Sequence, residues 1–187
     1  MKTRKILRIV GCVLLAGVLA LVGAIVYTDR QGRSAQLSAA VGMATPASLY
    51  AESSVIVEVR PTGGTQRFAG GGVRFRLAEV NVENTLRGET AGAIRLLQTE
   101  GLEANPQLKA GQRYLLFLEP YAYNPDGMAG MEKAEGAYAI EGAFKGVYAL
   151  DADGNLSALR TSYETEEQTA QREQAMRELW TQIQQQS

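Results

Sequence analysis

From Ile9 to Tyr27 the chain carries no charged side chain. As a helix rising about 1.5 Å per residue, this run spans roughly 28 Å, the thickness of a bilayer's hydrocarbon core. Lys2, Arg4, Lys5 and Arg8 precede it, and Asp29, Arg30 and Arg33 follow it. The heavier positive side predicts a cytoplasmic basic segment over 1–8, a transmembrane helix over 9–27, and a remainder outside the cytoplasm. Two other readings compete. A cleaved signal peptide would use small-x-small sites near Ser38–Ala40 or Gly42–Ala44. A lipoprotein would be acylated at Cys12, but few apolar residues precede that position. The length of the run favours a retained single-pass signal anchor in the cell membrane.

Beyond the run the pattern changes. Residues 28–45 are small and polar without periodicity, as in a flexible tether. Pro46–Ser53 predicts a short helix with proline in its first turn. Ser54–Arg60 then alternates like a strand, and glycine-rich Pro61–Gly72 reads as a long loop. Val73, Phe75 and Leu77 share one strand face, with Arg74 and Arg76 opposite. After Ala78-Glu79 the apolar positions become Val80 and Val82, a phase change that predicts a bulge at Ala78-Glu79. Asn84–Gly92 is expected to turn and Ala93–Thr99 to form a strand. Gly101–Gly111 is expected to be a loop. Arg113–Leu118 is apolar nearly throughout, which predicts a central strand covered on both faces. Tyr121–Gly136 is a second long loop. Short strands follow at Ala137–Ile140, Gly146–Leu150 and Leu156–Leu159.

The last segment has helical period. Thr161-x-x-Glu164 has capping-box spacing. Met176, Leu179, Trp180 and Ile183 line one face, which runs back through Arg172, Thr169 and Thr165. This predicts an amphipathic helix over 161–187, docked on the domain or presenting Trp180 to a partner or the bilayer surface.

Composition narrows the chemistry. There is no histidine, which excludes Ser-His-Asp and Cys-His catalysis, imidazole zinc sites and histidine-ligated haem. The one cysteine, Cys12, lies in the apolar run, so no intramolecular disulfide forms. Residues 1–33 carry six Lys/Arg and one Asp, whereas residues 34–187 carry thirteen Lys/Arg and nineteen Asp/Glu. The net charges of +5 and −6 place the positive charge beside the membrane run and argue against nucleic acid as a partner. Gly63-Gly64 and Gly70-Gly71-Gly72 lack the lysine and hydroxyl of a phosphate loop. Asp151-Ala152-Asp153-Gly154-Asn155 opens like a calcium loop. Leu156 and Ser162 stand where such a loop needs glycine and glutamate, so a hairpin turn is expected. The pairs Glu132 with Glu135 and Glu166 with Glu167 read as solvated acids. No catalytic, metal or cofactor-binding residue is nominated.

The motif Val80-x-Val82-Glu83-Asn84-x-Leu86-Arg87-Gly88 resembles a segment of uncharacterised secreted or membrane-anchored proteins of Gram-positive bacteria. Leu108-x-x-Gly111-Gln112-x-Tyr114-Leu115-Leu116-Phe117-Leu118 resembles another of their segments, and Ser53–Val57 is similar to their opening strand. The likeness covers roughly residues 47–150 and extends to netrin-like and TIMP-like domains. It implies a mainly β fold: a small OB-like barrel of five to six strands over 46–160, preceded by the transmembrane helix and followed by the C-terminal α-helix. The disulfides and N-terminal cysteine wedge of those domains are missing, so protease inhibition does not carry over. The haem chaperone of cytochrome c maturation also joins an anchor to an OB barrel, but it attaches haem through histidine.

OB barrels bind through the loops joining strands 1–2 and 4–5, here the two long loops. Arg67, Phe68, Tyr121 and Tyr123 on them, with Trp180 on the helix, are the candidate ligand or partner contacts. The expectation is a membrane-tethered extracytoplasmic binding module without catalysis, integral to the membrane and open to a protein partner. The alternatives are an accessory subunit of a membrane complex and a carboxylate-dependent hydrolase.

Overall fold

The computed structural model describes residues 44–102 and 104–186. The expected transmembrane segment 9–27 and nearly all of the tether lie outside the described residues. Among the described residues, no helix is long and apolar enough to cross a membrane.

A short helix, α1 (Pro46–Glu52), opens the described chain. Its capping is reciprocal: the Thr45 hydroxyl accepts from the Ser48 N–H and the Ser48 hydroxyl accepts from the Thr45 N–H. The strands are β1 (Val55–Gly70), β2 (Val73–Arg87), β3 (Ala93–Thr99), β4 (Arg113–Pro120), β5 (Tyr138–Ile140), β6 (Val147–Leu150) and β7 (Leu156–Ala158). A long helix, α2 (Glu166–Gln186), follows. The fold is mainly β, with seven strands rather than the five or six expected. It is not a clean barrel. β1 pairs with both β2 and β4, and the circuit back to β3 passes through β5, only three residues long. β6 and β7 extend the sheet beyond β4.

β4 is the central strand, as its apolar run predicts. It pairs with β1, β5 and β6, and each face is buried in a different core. Tyr114, Leu116 and Leu118 pack with Val55, Val57, Val59, Val80 and Leu96 inside the curved sheet. Leu115 and Phe117 pack outward with Ile56, Tyr148, Met176, Trp180 and Ile183 under α2. The helical stripe therefore docks on the sheet. Its backward extension is buried too: Thr169 and Arg172 are 7% and 6% exposed.

Three local expectations are corrected. Pro61–Gly72 is not a loop but the outer half of a 16-residue strand, joined to β2 by a tight turn at Gly71-Gly72. Residues 62–67 are all exposed, so this arm has no apolar periodicity to betray it. At Ala78-Glu79 the extra residues lie in β1, not β2, whereas β2 carries an extra residue against β1 further on, at Glu83 and at Leu86. Pro61 pairs with Val80 and Thr65 with Ala78, so Thr62–Gly64 sit opposite Glu79 alone. β2 itself runs in unbroken register against β3 from Phe75 to Asn81. It keeps period two while the covered face changes: Phe75 and Leu77 face a satellite core, and Ala78, Val80 and Val82 the main one. Finally, α2 starts at Glu166 and is boxed by Thr165 with Gln168, not Thr161 with Glu164. Glu164 is instead taken by Arg172, at 2.8 Å.

The outer edge at β7 is occupied by helix side chains. The Ala158 N–H donates to the Glu173 carboxylate, and Arg177 donates to the Leu156 carbonyl. An edge whose backbone groups are bonded this way offers no template for another strand.

Candidate ligand-binding cleft

Arg67 and Phe68 are neighbours on β1 and so point to opposite faces. On one face Phe68 stacks on Phe75 at 5.5 Å between centroids, over Leu77, Met131 and Ala134. Tyr121 and Tyr123 pack against this cluster, half-buried. The structure thus brings together three of the nominated residues, and all three help fill a satellite core. The β4–β5 loop carrying both tyrosines is latched to the hairpin tip, where the Gly71 N–H donates to the Ala129 carbonyl at 3.2 Å. Gly130 permits the approach. It has φ of +91°, and a Cβ there would overlap the Ala69 carbonyl.

Trp180 is remote from this cluster, 6% exposed within the core beneath α2. Its ring is used in packing and is not available to anchor a partner or a bilayer.

On the other face, β1–β2 pairing sets Arg67 directly opposite Arg76. Arg67 swings outward to Glu100, at 2.7 Å, with 73% of its side chain exposed. Arg76 turns inward and is 8% exposed. Its Nε donates to the Gln98 Oε1 at 2.9 Å, and its Nη2 reaches the Pro106 carbonyl at 3.5 Å. Gln98, 1% exposed, donates to the same carbonyl at 2.9 Å. Both acceptors are neutral. Among the described residues Arg76 forms no ion pair, and its Nη1 donates to none of them. Burial pulls its pKa below the usual guanidinium value; the charge of Glu100 opposes this and that of Arg67 adds to it.

Arg76 lines a cleft of about 330 Å³, together with Glu100, Leu102, Pro106, Arg160 and Thr161. That volume is at the lower end of the range for small-molecule sites, roughly 300–1,000 Å³. Arg160 at the rim pairs with Glu166 at 3.2 Å, and both are largely exposed. A guanidinium held in a fixed plane is chemically suited to recognising a negative group.

The acids lie elsewhere. Glu58, 9% exposed, is bonded to Arg113 at 2.6 Å; Glu83 bonds the same Arg113 at 3.1 Å and Arg60 at 2.6 Å. Glu164 lies between Arg172 and Lys145. The calcium-like segment is the expected β6–β7 turn, in which Asp151 accepts from the side-chain amide and backbone N–H of Asn155. Those bonds hold its carboxyl below the ordinary range.

Sequence reasoning missed Arg76, Gln98 and Pro106. A signal existed: Arg76 is two residues before Ala78 and four before Val80, so strict period two places it on the buried face. No known family model matches the chain, and no curated protein matches it in sequence.

Proposed function

We propose that this chain is a membrane-tethered, extracytoplasmic binding module on an OB-type framework, with no catalysis of its own. The observation that carries the binding reading is the Arg76 cleft, in which a buried guanidinium with no carboxylate partner among the described residues lines a small-molecule-sized space. A five-strand circuit returning to its first strand supports the OB-type reading, and the cleft's place on β2 and β3 matches the face such folds use. The basic cluster before the apolar run Ile9–Tyr27 supports the tether and its orientation. That the buried acids Glu58 and Glu164 are each bonded to arginine supports a structural role for them.

The test uses full-length chain expressed in a bacterial host. Carbonate-resistant membrane association, removal of the domain by protease added outside the inner membrane, and recovery of a ligand or partner from an unbiased screen are expected. Release into the soluble fraction, or protection from external protease, refutes the tether. An empty screen refutes the binding reading.

A further inference from the structure

We propose that the Arg76 cleft binds the carboxylate of a small, partly apolar organic acid. This rests on the reading of the domain as a binding module and specifies its ligand.

Two arginines, Arg67 and Arg76, stand opposite each other across β1 and β2, and among the described residues the acid beside them is Glu100. Glu100 bonds only the exposed one. Directly opposed like charges disfavour a sheet pair, and buried arginines are almost never left without a partner. Among the described residues this leaves one positive charge without an ion pair, on the buried member. Its guanidinium is oriented before any ligand arrives, because Gln98 and Pro106 hold Nε and Nη2. Nη1 and the second N–H of Nη2 are left on one edge. Two parallel N–H groups on one edge match the two oxygens of a carboxylate.

The rest of the cleft selects the kind of anion. Glu100 lines it, so a doubly charged group meets repulsion, whereas a single negative charge balances the excess. A phosphate monoester, carrying about −1.5 to −2 near neutral pH, overshoots. Leu102, 39% exposed, and Pro106 offer apolar surface for the body of the acid.

The experiment titrates full-length chain in detergent micelles with sodium benzoate, benzamide and inorganic phosphate at constant ionic strength, reading binding by calorimetry. Benzoate is expected to bind and benzamide not. Arg76→Lys, with its fold checked by circular dichroism, is expected to weaken benzoate about tenfold or more, because a hydrogen bond to a charged group contributes at least that factor. Glu100→Gln, which leaves both arginines in place, is expected to tighten benzoate severalfold and keeps the test decisive if Arg76→Lys does not fold. Equal binding of benzoate and benzamide overturns the proposal, as does an affinity for benzoate that neither variant changes. Phosphate binding without benzoate binding makes the cleft a phosphate site and also overturns it. A neutral compound or protein partner that binds Arg76→Lys as well as the unaltered chain overturns the carboxylate site and leaves the binding-module reading standing. No binding by any probe, with an empty unbiased screen, removes both.

Discussion

Arg67 and Arg76 face each other across the β1–β2 hairpin, and Glu100 binds the exposed one while, among the described residues, the buried one meets only neutral acceptors. Glu100→Gln therefore removes a partly exposed ion pair, its arginine 73% and its acid 21% exposed. Its expected cost in urea denaturation is below about 1 kcal/mol, since exposed pairs contribute little and are screened by salt. A larger loss, undiminished in high salt, would show that Glu100 compensates Arg76 directly.

Gly130→Ala should loosen the aromatic end of the fold. The residue sits at positive φ against the Ala69 carbonyl, and a side chain there has no unstrained position. The expected cost is about 1–3 kcal/mol. Dye binding to exposed apolar surface should rise as the loop lifts from Phe68 and Phe75. Unchanged stability and dye binding would show that the β4–β5 loop is not latched at this point.

The charged cluster beneath the start of α2 is the most sensitive polar contact. Glu164 and Arg172 have side chains 8% and 5% exposed, and Lys145 adds a second cation at 3.7 Å. Glu164→Gln leaves the Arg172 guanidinium buried beside a neutral group. Breaking a buried pair from one side costs about 3–5 kcal/mol. Chemical denaturation measures this directly, and a loss below about 1 kcal/mol would mean that the cluster is well hydrated.

Tyr148 is expected to make stability fall in alkali. It is fully buried, and its hydroxyl lies near the Arg172 guanidinium but forms no well-aligned hydrogen bond among the described residues. Burial pushes its pKa up to about 12, with the Arg172 charge partly opposing the rise. The folded state then keeps a proton that the unfolded state loses near pH 10. Its contribution is complete below pH 10 and declines as pH rises toward 12, by about 2–3 kcal/mol in all. Tyr148→Phe removes a buried hydroxyl that has no well-aligned hydrogen bond among the described residues, and it keeps the edge-on contact with Phe117. It should be neutral or stabilising by up to about 1 kcal/mol at pH 7 and should flatten this decline. Destabilisation at neutral pH would show that the hydroxyl has a hydrogen-bond partner.

Strand positions and the helix were legible because each carries its own pattern. Arg113–Leu118 is apolar at every position but its first, and it is the strand with the most neighbours. Met176, Trp180 and Ile183 repeat at helical spacing, and all three are buried. Pro61–Gly70 was not legible as strand, because β2 is its only strand neighbour among the described residues and its polar side chains meet solvent on both sides. Of the candidate site residues, Phe68, Tyr121 and Tyr123 do converge, but on a packed cluster. Arg67 stands beside the cleft, whereas Trp180 is in the core.

The sequence by itself determined the apolar and basic pattern of the N-terminal segment, the absence of histidine and disulfide chemistry, and most element positions. Each depends on residue type or on neighbours a few positions apart. Only the tertiary structure decided which face of β2 is covered at each end, that the β1 bulge stands opposite Glu79, and that Arg76 is buried beside Gln98 and Pro106 while Arg67 takes Glu100. Those outcomes depend on contacts between residues distant along the chain. Alternation shows that a strand has two faces, but which face loses water depends on the element that packs against it.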